Sequence, residues 1–240
     1  MTGIELSGYG RDLPGRPSLA QLIEAVCRAA PGLRVRLGSL EPRTVTEDFC
    51  RALAELPNLC PHFHLSLQSG CDATLARMGR KYTGADYEET VARLNQWFDR
   101  PAVTTDLIVG FPGETQEDFE ETMSLIEQVR YDALFTFIFS PRRGTPAEKL
   151  PDPMPKEQKS ANFQRLLQRQ NEISGEKHRQ YIGKTCRCLV DGQGSDGLLT
   201  ARTAGGRLVH LAADPGCIGT WRQVRITEAS TWALFGELAE

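Results

Sequence analysis

Three observations predict an α/β fold followed by a small all-β module. Strand-like and amphipathic helical segments alternate up to about residue 150, a proline-spaced break follows at Pro151, Pro153 and Pro155, and beyond Gly183 short alternating segments are cut by repeated glycines. Apolar or β-branched runs at 33–40, 63–68, 102–109 and 133–139 read as strands. The helices between them have recognisable starts. Ser18 precedes Leu19, Leu22, Ile23 and Val26 on one face, and Thr46 precedes Phe49, Leu53 and Leu56. Thr83 or Asp86 opens a third helix through Val91, Leu94 and Trp97, and Thr115 a fourth with Phe119, Met123, Ile126 and Val129. Four βα repeats of about thirty residues each argue for a parallel α/β barrel or a doubly wound sheet. A long polar helix is expected from about Lys156 to Tyr181, and Gly192, Gly194, Gly197, Gly205 and Gly206 then punctuate what reads as a small antiparallel barrel. The expected organisation is therefore 1–150, a linker and helix at 151–182, and a barrel at 183–240.

Composition bounds the function classes. The 240 residues hold 28 Lys+Arg, 31 Asp+Glu and 40% hydrophobic residues, an ordinary globular balance that excludes disorder and coiled coil. No apolar run approaches the roughly 20 residues that cross a bilayer, and the first residues have no leader pattern. No membrane partner and a cytoplasmic location are expected. The seven cysteines include no CxxC pair, as suits a reducing compartment. Residues 1–150 carry 16 basic against 21 acidic side chains, whereas all twelve later basic residues lie between Lys156 and Arg225, among only six acids. A basic module after an acidic one points to a polyanion, or else to a solvated surface.

Along 63–68 the side chains alternate. Phe63, Leu65 and Leu67 form a set that helices would cover, and His64, Ser66 and Gln68 form a polar set. In a parallel barrel a polar inward set leads to the C-terminal mouth, where binding chemistry sits; the alternative is a hydrogen-bonded polar stripe. His62 and His64 have no third ligand at metal spacing. The strand at 102–109 runs into Gly110-Phe-Pro-Gly-Glu-Thr115. Two glycines let a backbone approach a ligand, and a helix N-terminus offers amides, but a tight turn capped by Thr115 explains the segment equally well.

Four ordered motifs then carry a resemblance: Thr2–Gly10, His64–Gly70, Thr105–Thr115 and Ser140–Pro146. Together they resemble the methylthiotransferase family of radical S-adenosylmethionine (SAM) enzymes over essentially the whole chain. The implied fold is a partial parallel (β/α) radical SAM barrel followed by a TRAM-like RNA-binding barrel. Tyr9–Asp12, Ser39–Pro42 and Arg80–Thr83 resemble the branch acting on threonylcarbamoyladenosine in tRNA. Phe135–Phe139 resembles the isopentenyladenosine branch instead, and a ribosomal-protein methylthiotransferase is a third, less favoured reading.

By resemblance, the full enzyme inserts a methylthio group at C2 of an adenine next to the anticodon, through radical chemistry that no general base supplies. The implied cofactors are SAM and two [4Fe-4S] clusters, and the implied partners are the tRNA anticodon stem-loop and an electron donor. The family's three N-terminal cysteines and its CxxxCxxC loop have no counterpart here, so the sequence resembles an inactive fragment with no catalytic or metal residue of its own. RNA binding without catalysis is the competing class. SAM contacts are implied for Glu5, His64, Gln68, Ser69, Ile108, Gly110 and Arg142, and RNA contacts for Lys81, Tyr82, Arg187, Arg202, Arg207, Arg222 and Arg225.

Overall fold

Four parallel strands, β1 (Ser39–Leu40), β2 (His62–Leu65), β3 (Ala102–Val109) and β4 (Ala133–Ile138), form a sheet in sequential order. The computed structural model describes residues 1–3 and 5–239. The helix α1 (Leu19–Ala29) precedes β1, and α2 (Glu47–Ala54), α3 (Asp72–Arg77), α4 (Gly84–Trp97) and α5 (Gln116–Val129) fall between the strands, as parallel βα repeats require. Ser18, Thr83 and Thr115 each close a capping box with the side chain three residues on, which fixes where α1, α4 and α5 begin. Phe63, Leu65 and Leu67 are fully buried under these helices, each contributing about 1.5–3 kcal/mol of transfer free energy.

The first predicted strand is shorter than its pattern suggests. Only Ser39 and Leu40 pair with β2, while Val35 makes an isolated bridge to Leu59. Val35 and Leu37 are nevertheless buried, whereas Leu33 at the start of the run is 65% exposed. Met1 lies along the outer side of this segment: Gly38 N–H donates to the Met1 carbonyl at 2.9 Å, and the Met1 amino group donates to Arg36 O. The second strand is likewise cut at Leu65, and α3 is an element that its six-residue length hides from periodicity.

Helix α6 (Lys156–Arg179) is not a free connector. It packs on β3 and β4 and places Leu166 and Ile173 in the first core. After it, β5 (Thr185–Gln193), β6 (Leu199–Arg202), β7 (Leu208–Leu211), β8 (Trp221–Ala229) and β9 (Leu234–Leu238) close a barrel in the order β5-β6-β7-β9-β8. One pairing, β7 with β9, is parallel; the rest are antiparallel, as expected. Val190, Leu199, Val209, Val224, Ile226 and Leu234 fill this second core.

The small barrel docks against the N-terminal ends of the parallel strands, the end away from the strand mouths. Arg34 reaches across and donates to the carbonyls of Arg202, Thr203 and Ala204. Asp132, just before β4, binds Arg207 through one oxygen and Lys177 at 2.7 Å through the other, which also accepts from Val103 N–H at 2.9 Å. His178 Nδ1 hydrogen-bonds Ser230 O at 2.8 Å. Among the described residues no helix is long and apolar enough to cross a membrane.

Candidate functional site

The strand mouths hold a cavity of about 560 Å³ lined by Gln68, Asp106, Ile108, Phe137, Phe139 and Arg142. Three of these, Gln68, Ile108 and Arg142, are sequence-predicted SAM contacts. A larger groove of about 690 Å³ along the outer face of α6 is lined by helix-surface polar residues such as Gln168, Glu172 and Arg179, and touches none of the strand ends.

Gln68 stands in the left-handed region at φ 75°, where a non-glycine residue is costly and needs support from its surroundings. The support is visible. Its N–H donates to Asp106 O and its carbonyl accepts from Ile108 N–H, both at 2.9 Å, so the chain leaves β2 at Ser66 and rejoins β3 two residues later. That detour holds a nine-tenths-buried amide at the cavity wall. Arg142 lies in the exposed loop after β4, and its carbonyl is held by Thr145 Oγ1 at 2.8 Å; its guanidinium has no ion-pair partner among the described residues.

Below the mouth, on the same concave face, His64 Nδ1 meets Thr104 Oγ1 at 3.0 Å and Nε2 meets Asp106 Oδ2 at 3.2 Å. His64 is thus held among the strands rather than at the mouth. Asp106 was missed by sequence reasoning, although a lone carboxylate inside the apolar run 102–109, two residues from Thr104 and Ile108, marks the inward set of that strand.

The remaining predicted SAM contacts sit elsewhere. Ser69 is buried against α5, its Oγ 3.3 Å from Thr122 Oγ1 and accepting from Cys71 N–H at 3.2 Å. Gly110, at φ 72°, does permit a close approach, but by the stem of Lys159: a Cβ would fall 2.5 Å from Lys159 Cδ. Its N–H is taken by the Glu114 carboxylate, a group that burial pushes up to about 7. The loop forms a tight turn into the helix capped by Thr115. Glu5 is exposed at the start of a 3-10 turn (Leu6–Gly8), makes no cap hydrogen bond and lies outside the cavity lining; its neighbour Ile4 lies outside the described residues.

The predicted RNA contacts divide in the same way. Arg187, Arg222 and Arg225 are exposed on β5 and β8, and the Arg187 guanidinium lies 4.5 Å from the ring centroid of Trp221. Arg202 is exposed but paired with Asp191 at 3.1 Å. Arg207 is a correction: it is buried in the seam by Asp132 and over the Tyr181 ring at 4.8 Å, and burial lowers it to about 10. Tyr82 is another, being 5% exposed with its hydroxyl donating to Ser66 O at 2.7 Å and Leu67 O at 3.0 Å, so it supports the turn before Gln68 and presents no face for stacking. Lys81 is exposed.

The cavity suits SAM in size and in its mixture of apolar wall and polar rim. An iron-sulfur cluster does not fit these residues: among those described, no three His, Cys, Asp or Glu side chains are grouped to hold a metal, and six of the seven thiols are buried apart from it. Burial raises the Cys188 thiol to about 12 and also raises its neighbour Cys186, which opposes the thiolate form a cluster needs.

Comparison with known proteins accords with this geometry. Coproporphyrinogen III oxidase from Escherichia coli, a radical SAM enzyme, shares the fold with a TM-score of 0.55 at 14% identity, covering 88% of this chain and 52% of that one. The tRNA-2-methylthio-N(6)-dimethylallyladenosine synthase of Acetivibrio thermocellus is 40% identical over 241 residues, and that of Clostridium botulinum strain Okra is 40% identical over 240. Each match takes in 99% of this chain but 50% and 53% of the relative, so the chain spans about half the length of these relatives. Residues 179–239 match the TRAM domain. Residues 5–126 match the Radical SAM superfamily, and with the parallel sheet and its mouth cavity they establish that the chain belongs to that superfamily.

Proposed function

We propose that this chain is the SAM-binding and RNA-binding part of a tRNA methylthiotransferase that acts on N6-dimethylallyladenosine. The observation that carries the reading is the pairing of a mouth cavity at one end of the parallel sheet with an exposed arginine and tryptophan face at the other. Eight residues of β3 at about 3.3 Å each set the two ends roughly 25 Å apart, within reach of one RNA stem-loop. The names of the relatives favour the dimethylallyl (isopentenyl) alternative over the threonylcarbamoyladenosine reading.

SAM, when bound, supplies the methyl group and the precursor of a radical. The residues here bind and orient. Gln68 offers an amide to a ribose or carboxylate, Ile108 an apolar contact to an adenine, and Arg142 a cation to an anionic group at the rim. Among the described residues no thiols are grouped to hold a cluster, which supports a binding role for this part of the enzyme. On β5 and β8, Arg187, Arg222 and Arg225 serve phosphates, and Trp221 is stacked by Arg187.

Fluorescence anisotropy with an anticodon stem-loop tests this. Affinity should fall with salt at the slope of a few phosphate contacts, and Arg187→Ala or Arg222→Ala should each reduce that slope by about one. Absence of stem-loop binding, or a salt-independent affinity unchanged by both variants, would refute the assignment.

A further inference from the structure

We infer that Phe135 and Phe137, set beside Asp106 on the concave face of the sheet, select an N6-alkylated adenine over an unmodified one; this rests on the methylthiotransferase reading. Phenylalanine is among the residues most often buried, yet these two are 53% and 55% exposed, on the edge strand of the sheet. They are not scattered. Both fall on the same side of β4, where the register sets Phe135 next to Asp106 and Phe137 next to Ile108, and the Phe135 ring meets His64 edge-on at 5.7 Å.

An apolar wall therefore adjoins a carboxylate held in place. His64 engages Asp106 Oδ2, and Thr104 fixes the other ring nitrogen of His64. Oδ1 of Asp106 has no hydrogen-bond partner among the described residues. A base that places one N–H and one short hydrocarbon branch on the same nitrogen matches this pair: the N–H donates to Asp106 and the branch lies on the two rings. Unmodified adenine keeps the donor and forgoes the apolar contact. A substituent that ends in a carboxylate gains nothing from the rings and meets the negative charge of Asp106.

The test uses the full chain and three fluorescent anticodon stem-loops with adenine, N6-dimethylallyladenine or N6-threonylcarbamoyladenine at the position next to the anticodon. The dimethylallyl stem-loop should bind at least about tenfold tighter than the unmodified one, the low end of what one methylene group gives in an apolar site, as suits half-exposed rings. The double variant Phe135→Ser, Phe137→Ser should bring that ratio to about one, and an unchanged circular dichroism spectrum and thermal midpoint show that the variant is folded. Phe135→Leu with Phe137→Leu should keep most of the preference. A wild-type ratio near one, a preference that survives the serine variant, or tightest binding of the threonylcarbamoyl stem-loop would overturn the inference while leaving RNA binding intact. Failure to bind any stem-loop would take down the functional reading with it.

Discussion

Replacing Asp132 by alanine should cost about 3–5 kcal/mol of stability, because it strands two cations in the seam between the barrels. The Arg207 side chain is 8% exposed and that of Lys177 24%, and both meet the Asp132 carboxylate, itself 6% exposed. Alanine also leaves Val103 N–H without its side-chain acceptor. Since Arg207 belongs to the second barrel and Asp132 to the sheet, the loss should also uncouple the two cores. Calorimetry should show one thermal transition for the native chain and a broadened or split one for Asp132→Ala. Asp132→Asn keeps an acceptor for Val103 and should cost less. A loss under about 1 kcal/mol for Asp132→Ala would mean that the seam is held by Arg34 with its three carbonyls and by His178 with Ser230 O.

The second large effect is a dependence on pH centred on Glu114. Burial raises this carboxyl from 4.5 to about 7 in the folded chain, so the folded state holds the proton more tightly than the unfolded state does. Its stabilising contribution is complete below pH 4.5, declines between 4.5 and about 7 as the unfolded chain releases its proton first, and is gone above 7. With the residue only 4% exposed, the swing amounts to about 3 kcal/mol. Glu114→Gln keeps an acceptor for Gly110 N–H and carries no charge at any pH. Denaturant unfolding should show the native chain losing stability across that window relative to the glutamine variant, and lying below it at pH 8. Parallel stability curves for the two proteins would show that Glu114 titrates as an ordinary surface carboxylate.

What the sequence made legible follows from the range of the forces involved. Capping residues act within one turn, so Ser18, Thr46, Thr83 and Thr115 reveal the starts of four helices directly. Strand alternation is equally local, and separates Leu65 and Leu67 from His64 without any knowledge of neighbours. Long-range partners are another matter. Nothing near Arg207 in the chain announces that Asp132, 75 residues earlier, will bury it. Ser69 and Gly110 carry the small side chains that close approach requires, but whether a ligand, α5 or Lys159 fills the space depends on packing. Gln68 illustrates the middle case: its polarity marks a candidate, while its left-handed backbone appears only once β2 rejoins β3.

Hydrogen exchange on the full chain, with and without an anticodon stem-loop carrying N6-dimethylallyladenine, tests most directly whether one RNA engages both ends of the sheet. The expected result is slowed exchange in β5 and β8 around Arg187 and Arg222 and, in the same complex, in the Ser140–Thr145 loop at the mouth. Protection confined to the small barrel, with the mouth loop unchanged at saturating RNA, would contradict it.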